Sequence, residues 1–139
     1  MPWDDGANHG FSKGTPWLSV PQEYAAANAQ LQSSKANSVL AWYRILAKLH
    51  QESEILLQGR YEEILEEHEQ IYAFRRILEK KEILVLVNFS VQEAAFDWPA
   101  IAEMEKICGT YPDIKPGVLR SLEARVYGGR YKDHEIGGK

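Results

Sequence analysis

Ile83-Leu84-Val85-Leu86-Val87-Asn88-Phe89 constrains this chain more than any other stretch. It is apolar and rich in β-branched residues, it has no helix caps, and it is far too short to cross a membrane. A run of this kind is a buried strand, and a buried strand requires partners on both edges. Gln70-Ile71-Tyr72-Ala73-Phe74-Arg75 is aromatic and β-branched enough to be one. Leu122 to Tyr127 alternates well enough to be a closing strand.

The stretch from Glu52 to Glu82 is ambiguous on local grounds. Leu56, Leu57, Ile64 and Leu65 among Glu62, Glu63, Glu66, Glu67 and Glu69 suit a charged helix by propensity, against the strand character of residues 70–75. Pro99, Pro112, Pro116 and Gly117 cut the rest into short pieces. From Gly128 the chain is polar and glycine-rich, so residues 128–139 are expected to be a flexible tail.

Before the strands lies a different composition. Pro2, Gly6, Gly10, Gly14, Pro16 and Pro21 mark residues 1–37 as loop, with room for a short helix only from Tyr24 to Leu31. Trp3, Phe11 and Trp17 sit inside this loop. Rings of that size contribute only when buried, so the loop is expected to lie on something. Ser38 to Gln51 is the clearest helix, capped by Ser38 or Asn37, with Val39, Trp42, Tyr43, Leu46 and Leu49 on one face. Leu40 and Ile45 widen that stripe beyond what one neighbour covers.

Several function classes drop out on composition. A net charge of −4 with no Lys/Arg cluster gives no face for nucleic acid. No apolar run reaches membrane-spanning length, and the N-terminus has no signal-peptide pattern. A single cysteine, Cys108, fits a reducing cytoplasm and reads as a small core residue. His9, His50, His68 and His134 show no metal-ligand spacing, and Asp4 to Gly10 lacks the ligand alternation of a calcium loop. Neither metal nor cofactor is expected. The sequon at Asn88-Phe89-Ser90 ends a buried strand and reads as accidental. The Glu62–Glu69 cluster reads as a solvated strand face, because nothing apolar surrounds it to raise a pKa.

Taken in order, the motifs resemble the oligo-1,6-glucosidase, maltase and trehalose-6-phosphate hydrolase branch of glycoside hydrolase family 13. Met1-Pro2-Trp3-Asp4 is similar to the Met-Gln-Trp-Asp of the loop after the eighth barrel strand, with Pro2 in place of Gln. Asn8-His9-Gly10-Phe11 and Lys13-Gly14-Thr15-Pro16-Trp17-Leu18 resemble the stretches that follow it. Tyr24 and Asn28 match a Tyr-x-x-x-Asn pattern, and Ser38-Val39-Leu40 with Tyr43-Arg44 resembles the start of the last barrel helix. His50 stands where that helix commonly has Arg. Gln70 to Phe74, Leu84 to Ser90, Tyr111-Pro112-Asp113, and Leu119-Arg120 with Glu123 to Tyr127 resemble strand motifs of the small β-domain behind the barrel. Ser121 stands where the closing motif often has Pro.

The resemblance implies a fold that is mainly β, with an N-terminal loop and one or two helices. It implies a C-terminal antiparallel β-sandwich of five to seven strands, joined to the last helix of a (β/α)8 barrel. Residues 1–52 would be the barrel remnant, 53–127 the sandwich, and 128–139 the tail; residues 60–78 become strands. It also implies a parent α-glucosidase that hydrolyses terminal α-glucosidic links of small oligosaccharides in the cytoplasm. In that parent this part would be scaffold, and its partner would be the missing catalytic barrel.

A retaining glycosidase needs two carboxyl groups about 5 Å apart, one of them with a raised pKa. No residue here maps onto the family's catalytic Asp, Glu and Asp, so the chain alone is expected to be inactive. Trp3 and Asp4 border the active-site entrance in the family and are candidate sugar contacts in the intact enzyme. The alternative roles are packing for Trp3 and loop hydrogen bonds for Asp4. Met1 coincides with a methionine internal to the family motif, as expected of a truncated reading frame, a mis-called start or an artificially cut piece. Without a barrel, self-association through residues 1–51 is expected. A rival function is a free-standing sugar-binding β-module using Trp3, Phe11, Trp17 and Trp98 as aromatic platforms.

Overall fold

The computed structural model describes residues 2–18 and 27–131. Tyr24, Met1, His134 and the tail from residue 132 lie outside the described residues. The chain divides into two compact units, Met1–Glu52 and Ser53–Lys139.

In the first unit, helices α1 (Ala29–Ser33) and α2 (Val39–Glu52) follow the loop. The expected short helix runs from Ala29 rather than through Asn28, because Asn28 is its N-cap: its Oδ1 accepts from the Leu31 amide at 2.9 Å. Ser38 caps α2, accepting from the Ala41 amide at 3.0 Å and donating to the Gln32 carbonyl at 2.6 Å. The Gln32 side chain accepts from Leu40 N, so the two helices share one polar joint. The apolar stripe of α2 finds little cover. Val39 is 79% exposed, Tyr43 72%, and no α2 residue is fully buried.

The second unit begins with α3 (Glu54–Gln58), whose first turn is capped by the Ser53 hydroxyl. Seven antiparallel strands follow: β1 (Arg60–Ile64), β2 (Ile71–Leu78), β3 (Lys81–Asn88), β4 (Ala94–Ala95), β5 (Glu105–Gly109), β6 (Val118–Leu119) and β7 (Ala124–Arg130). Five form one sheet in the order β1-β2-β3-β7-β5, and β4 pairs with β6. Among the described residues the fold is mostly antiparallel sheet with three α-helices, two of them only five residues long.

Period-two alternation positions the core. Along β2, Ile71, Ala73, Arg75 and Ile77 are buried while the residues between them are not. Ile64, Ile71, Ala73, Leu84, Leu86 and Tyr127 point to one face and meet Ala94 and Leu119 of the small ladder. Phe96, Trp98, Ile101 and Met104 pack around that cluster. Burying a Leu or Ile fully is worth about 1.5–3 kcal/mol, so this cluster is the main source of the unit's stability.

Two expectations need correction. The acidic stretch is not one strand face: Glu62 and Glu63 are in β1, but Glu66, Glu67 and Glu69 are in the turn between β1 and β2. The tail does not begin at Gly128, because Gly128, Gly129 and Arg130 complete β7. The missing side chains of the two glycines make room. A Cβ on Gly129 would stand 2.9 Å from Met104 Cγ, and one on Gly128 3.0 Å from Ile107 Cδ1. The glycines that resemble a frayed tail are there because the β5 side of the sheet packs over them. The closing strand also starts later than expected, at Ala124. Leu122 is left-handed (φ 53°) and Glu123 is turned inward.

Candidate functional site

The loop carrying Trp3 and Asp4 is built by its own backbone. The Trp3 amide donates to the His9 carbonyl at 2.8 Å, and Asn8 Nδ2 donates to the carbonyls of Ser12 and Gly14 at 2.8 and 2.7 Å. Asn8, His9 and Gly10 are all left-handed, which turns the chain tightly enough for these contacts. Asp4 Oδ1 accepts from the Gly6 amide at 2.9 Å. A Cβ on Gly10 would stand 2.4 Å from Asp4 Oδ2, so glycine is needed there for space as well as for its φ of 69°. The Asp4 carboxylate therefore faces its own loop. Trp3 is 49% exposed, Phe11 71% and Trp17 91%. The Gln30 amide donates to the Trp3 carbonyl, tying this loop to α1.

Titratable groups gather elsewhere, on the core-facing side of the sheet. The register that places Glu62 opposite Arg75 brings Arg75 Nη2 to 2.6 Å from Glu62 Oε1. Glu82 lies 3.5 Å from the same guanidinium, which also stands over the rings of Trp98 and Tyr131 at 5.7 and 5.1 Å. Glu62 is thus the exception to a solvated acidic face. Its side chain shares a face with Ile64, and Arg75 holds its carboxyl below the usual carboxylate range. Trp98, counted among the exposed platforms on sequence grounds, is half-buried between the core cluster and Arg75.

A second arginine cluster sits where β7 begins. Glu123 and Arg125 are both shielded from solvent. Glu123 also accepts from the Arg120 amide at 2.7 Å. Burial alone would push the Glu123 carboxyl up, but hydrogen bonds from Arg125 and the Arg120 amide hold it below the usual range. Arg120 pairs with Asp113, whose carboxyl it also holds down, and stacks over Tyr111 at 4.9 Å. Asn88 is buried beside them. Its Nδ2 donates to the carbonyls of Gln92 and Arg120 at 2.7 and 2.9 Å, so the sequon nitrogen is engaged in the fold. Burial pushes the Cys108 thiol up, away from thiolate chemistry. His68 pins the β1–β2 turn: its Nδ1 accepts from Ile71 N at 3.0 Å, and its Nε2 donates to the Ala95 carbonyl at 2.9 Å. Among the described residues, no group of three or more His, Cys, Asp or Glu could hold a metal ion.

These networks are structural in their chemistry. An acid catalyst needs a carboxyl with a raised pKa, whereas Glu62, Asp113 and Glu123 are all pulled the other way by arginines. Arg75 and Arg125 escaped the sequence reading because Arg is usually exposed. The available signal was their even spacing from Ala73 and from Tyr127 on the core face.

Residues 1–59 match the family described as "Alpha amylase, catalytic domain". Over 135 residues, 91% of this chain, the sequence is 34% identical to an oligo-1,6-glucosidase of Parageobacillus thermoglucosidasius. A trehalose-6-phosphate hydrolase of Bacillus subtilis is 36% identical over 133 residues, 90% of the chain. The chain belongs to the α-amylase family. It spans only about a quarter of these relatives, 24% of each. Among solved α-amylase-family structures, the trehalose-6-phosphate hydrolase of Bacillus licheniformis superposes with a TM-score of 0.83 at 28% identity. That match covers 92% of this chain and 25% of the enzyme. A trehalulose synthase of Pseudomonas mesoacidophila gives 0.81 at 29% identity, covering 91% and 24%. The α-amylase match ends at Gly59, immediately before β1, so the loop, α1, α2 and α3 all fall within it. No helix among the described residues is long and apolar enough to cross a membrane.

Proposed function

We propose that this chain is the C-terminal scaffold of an α-glucosidase that acts on terminal α-glucosidic links of small oligosaccharides in the cytoplasm, and that it carries none of the catalytic carboxyl groups. The observation behind this reading is the coverage: the chain aligns along nearly its whole length with a quarter of enzymes named for that activity. Arginine-held carboxylates in the sheet unit accord with it, since they are spent on the fold. The missing barrel is the partner in this reading, and α2 lends it an apolar face. Trp3 would form part of the pocket mouth, while Asp4 shapes the loop that presents it. The purified chain should turn over neither isomaltose, maltose nor trehalose-6-phosphate above buffer. Hydrolysis abolished by changing an acidic residue of this chain would refute the scaffold reading.

The exposure of Trp3, Phe11 and Trp17 favours a second reading, a free-standing sugar-binding module. A titration of tryptophan fluorescence with maltotriose separates the two. The scaffold reading expects no saturable change, and a module expects one that Trp17→Ala removes.

A further inference from the structure

We draw no further inference here: the strongest candidate, the cavity of about 520 Å³ over Gly128 and Gly129 lined by Glu82, Glu103, Glu105 and Arg130, is a cluster of acidic residues, and nothing else among the described residues points to a ligand there.

Discussion

Arg125 Nε donates to Glu123 Oε1 at 2.7 Å, with the side chains 1% and 0% exposed. The remaining guanidinium nitrogens are used as well: Nη1 donates to the Lys115 carbonyl at 3.0 Å and Nη2 to the Val118 carbonyl at 2.7 Å. The pair therefore ties the start of β7 to β6 and to the loop before it. Removing one partner leaves the other as a buried charge, at a cost of about 3–5 kcal/mol. Against a whole-domain stability of roughly 5–15 kcal/mol, that is enough to unfold a marginal unit. Glu123→Leu should lower the urea midpoint sharply, and adding Arg125→Met should recover part of the loss. A single variant within about 0.5 kcal/mol of the parent would show that the pair is not the tie described.

Acid should loosen the same unit. The carboxyls of Glu62, Asp113 and Glu123 are held below the usual range in the folded state. The unfolded chain then binds more protons at acid pH, so stability rises with pH there. The contribution is fully present above the unfolded carboxylate range and is lost as pH falls through the depressed folded values. Urea midpoints should be level from about pH 7 to pH 5 and decline from there towards pH 3. Glu62→Gln with Glu123→Gln should give a less stable protein with a flatter decline. A parent midpoint that stays level down to pH 3 contradicts this.

Gly59 joins α3 to β1 with no space for a side chain. A Cβ there would stand 2.3 Å from the Ile55 carbonyl oxygen and 3.1 Å from that of Ile77, and backbone cannot swing aside as a side chain can. Its φ of −62° is open to any residue, so space is the whole constraint. Gly59→Ala should destabilise the sheet unit by about 1–3 kcal/mol, the usual cost of overpacking. Thermal melts of the two proteins decide it, and equal melting temperatures would mean that α3 is free to shift.

The first unit should behave as a surface without its cover. Val39, Tyr43, Ile45 and Leu46 of α2 are exposed together with Phe11 and Trp17. At about 25 cal/mol per Å², several hundred Å² of wet apolar surface forfeits several kcal/mol. The isolated chain should therefore aggregate or form a weak dimer through residues 1–51. Limited proteolysis should cut first within residues 1–37 and leave a resistant fragment of roughly residues 55–127. Sedimentation showing a monodisperse monomer with a protected N-terminal loop would go against it.

Local chemistry in the sequence was enough for the elements that depend on it. The Ser38 cap and helical spacing marked α2 on local chemistry alone, and the β-branched run at Ile83–Val87 marked β3, where propensity and burial agree. Motif order was enough to resolve residues 60–78 into strands where propensity alone favoured helix. Pairing decided the rest. Glu62 and Glu63 are adjacent in the sequence, yet Glu62 meets a buried arginine while Glu63 is exposed, because register places Arg75 opposite Glu62. Gly128 and Gly129 have the composition of a tail and are held as strand by the packing of Ile107 and Met104 above them. Composition and periodicity report what a residue prefers within a few positions of itself. Which charge is buried, and which glycine is indispensable, depends on partners a dozen or more residues away, and only the closed sheet brings those together.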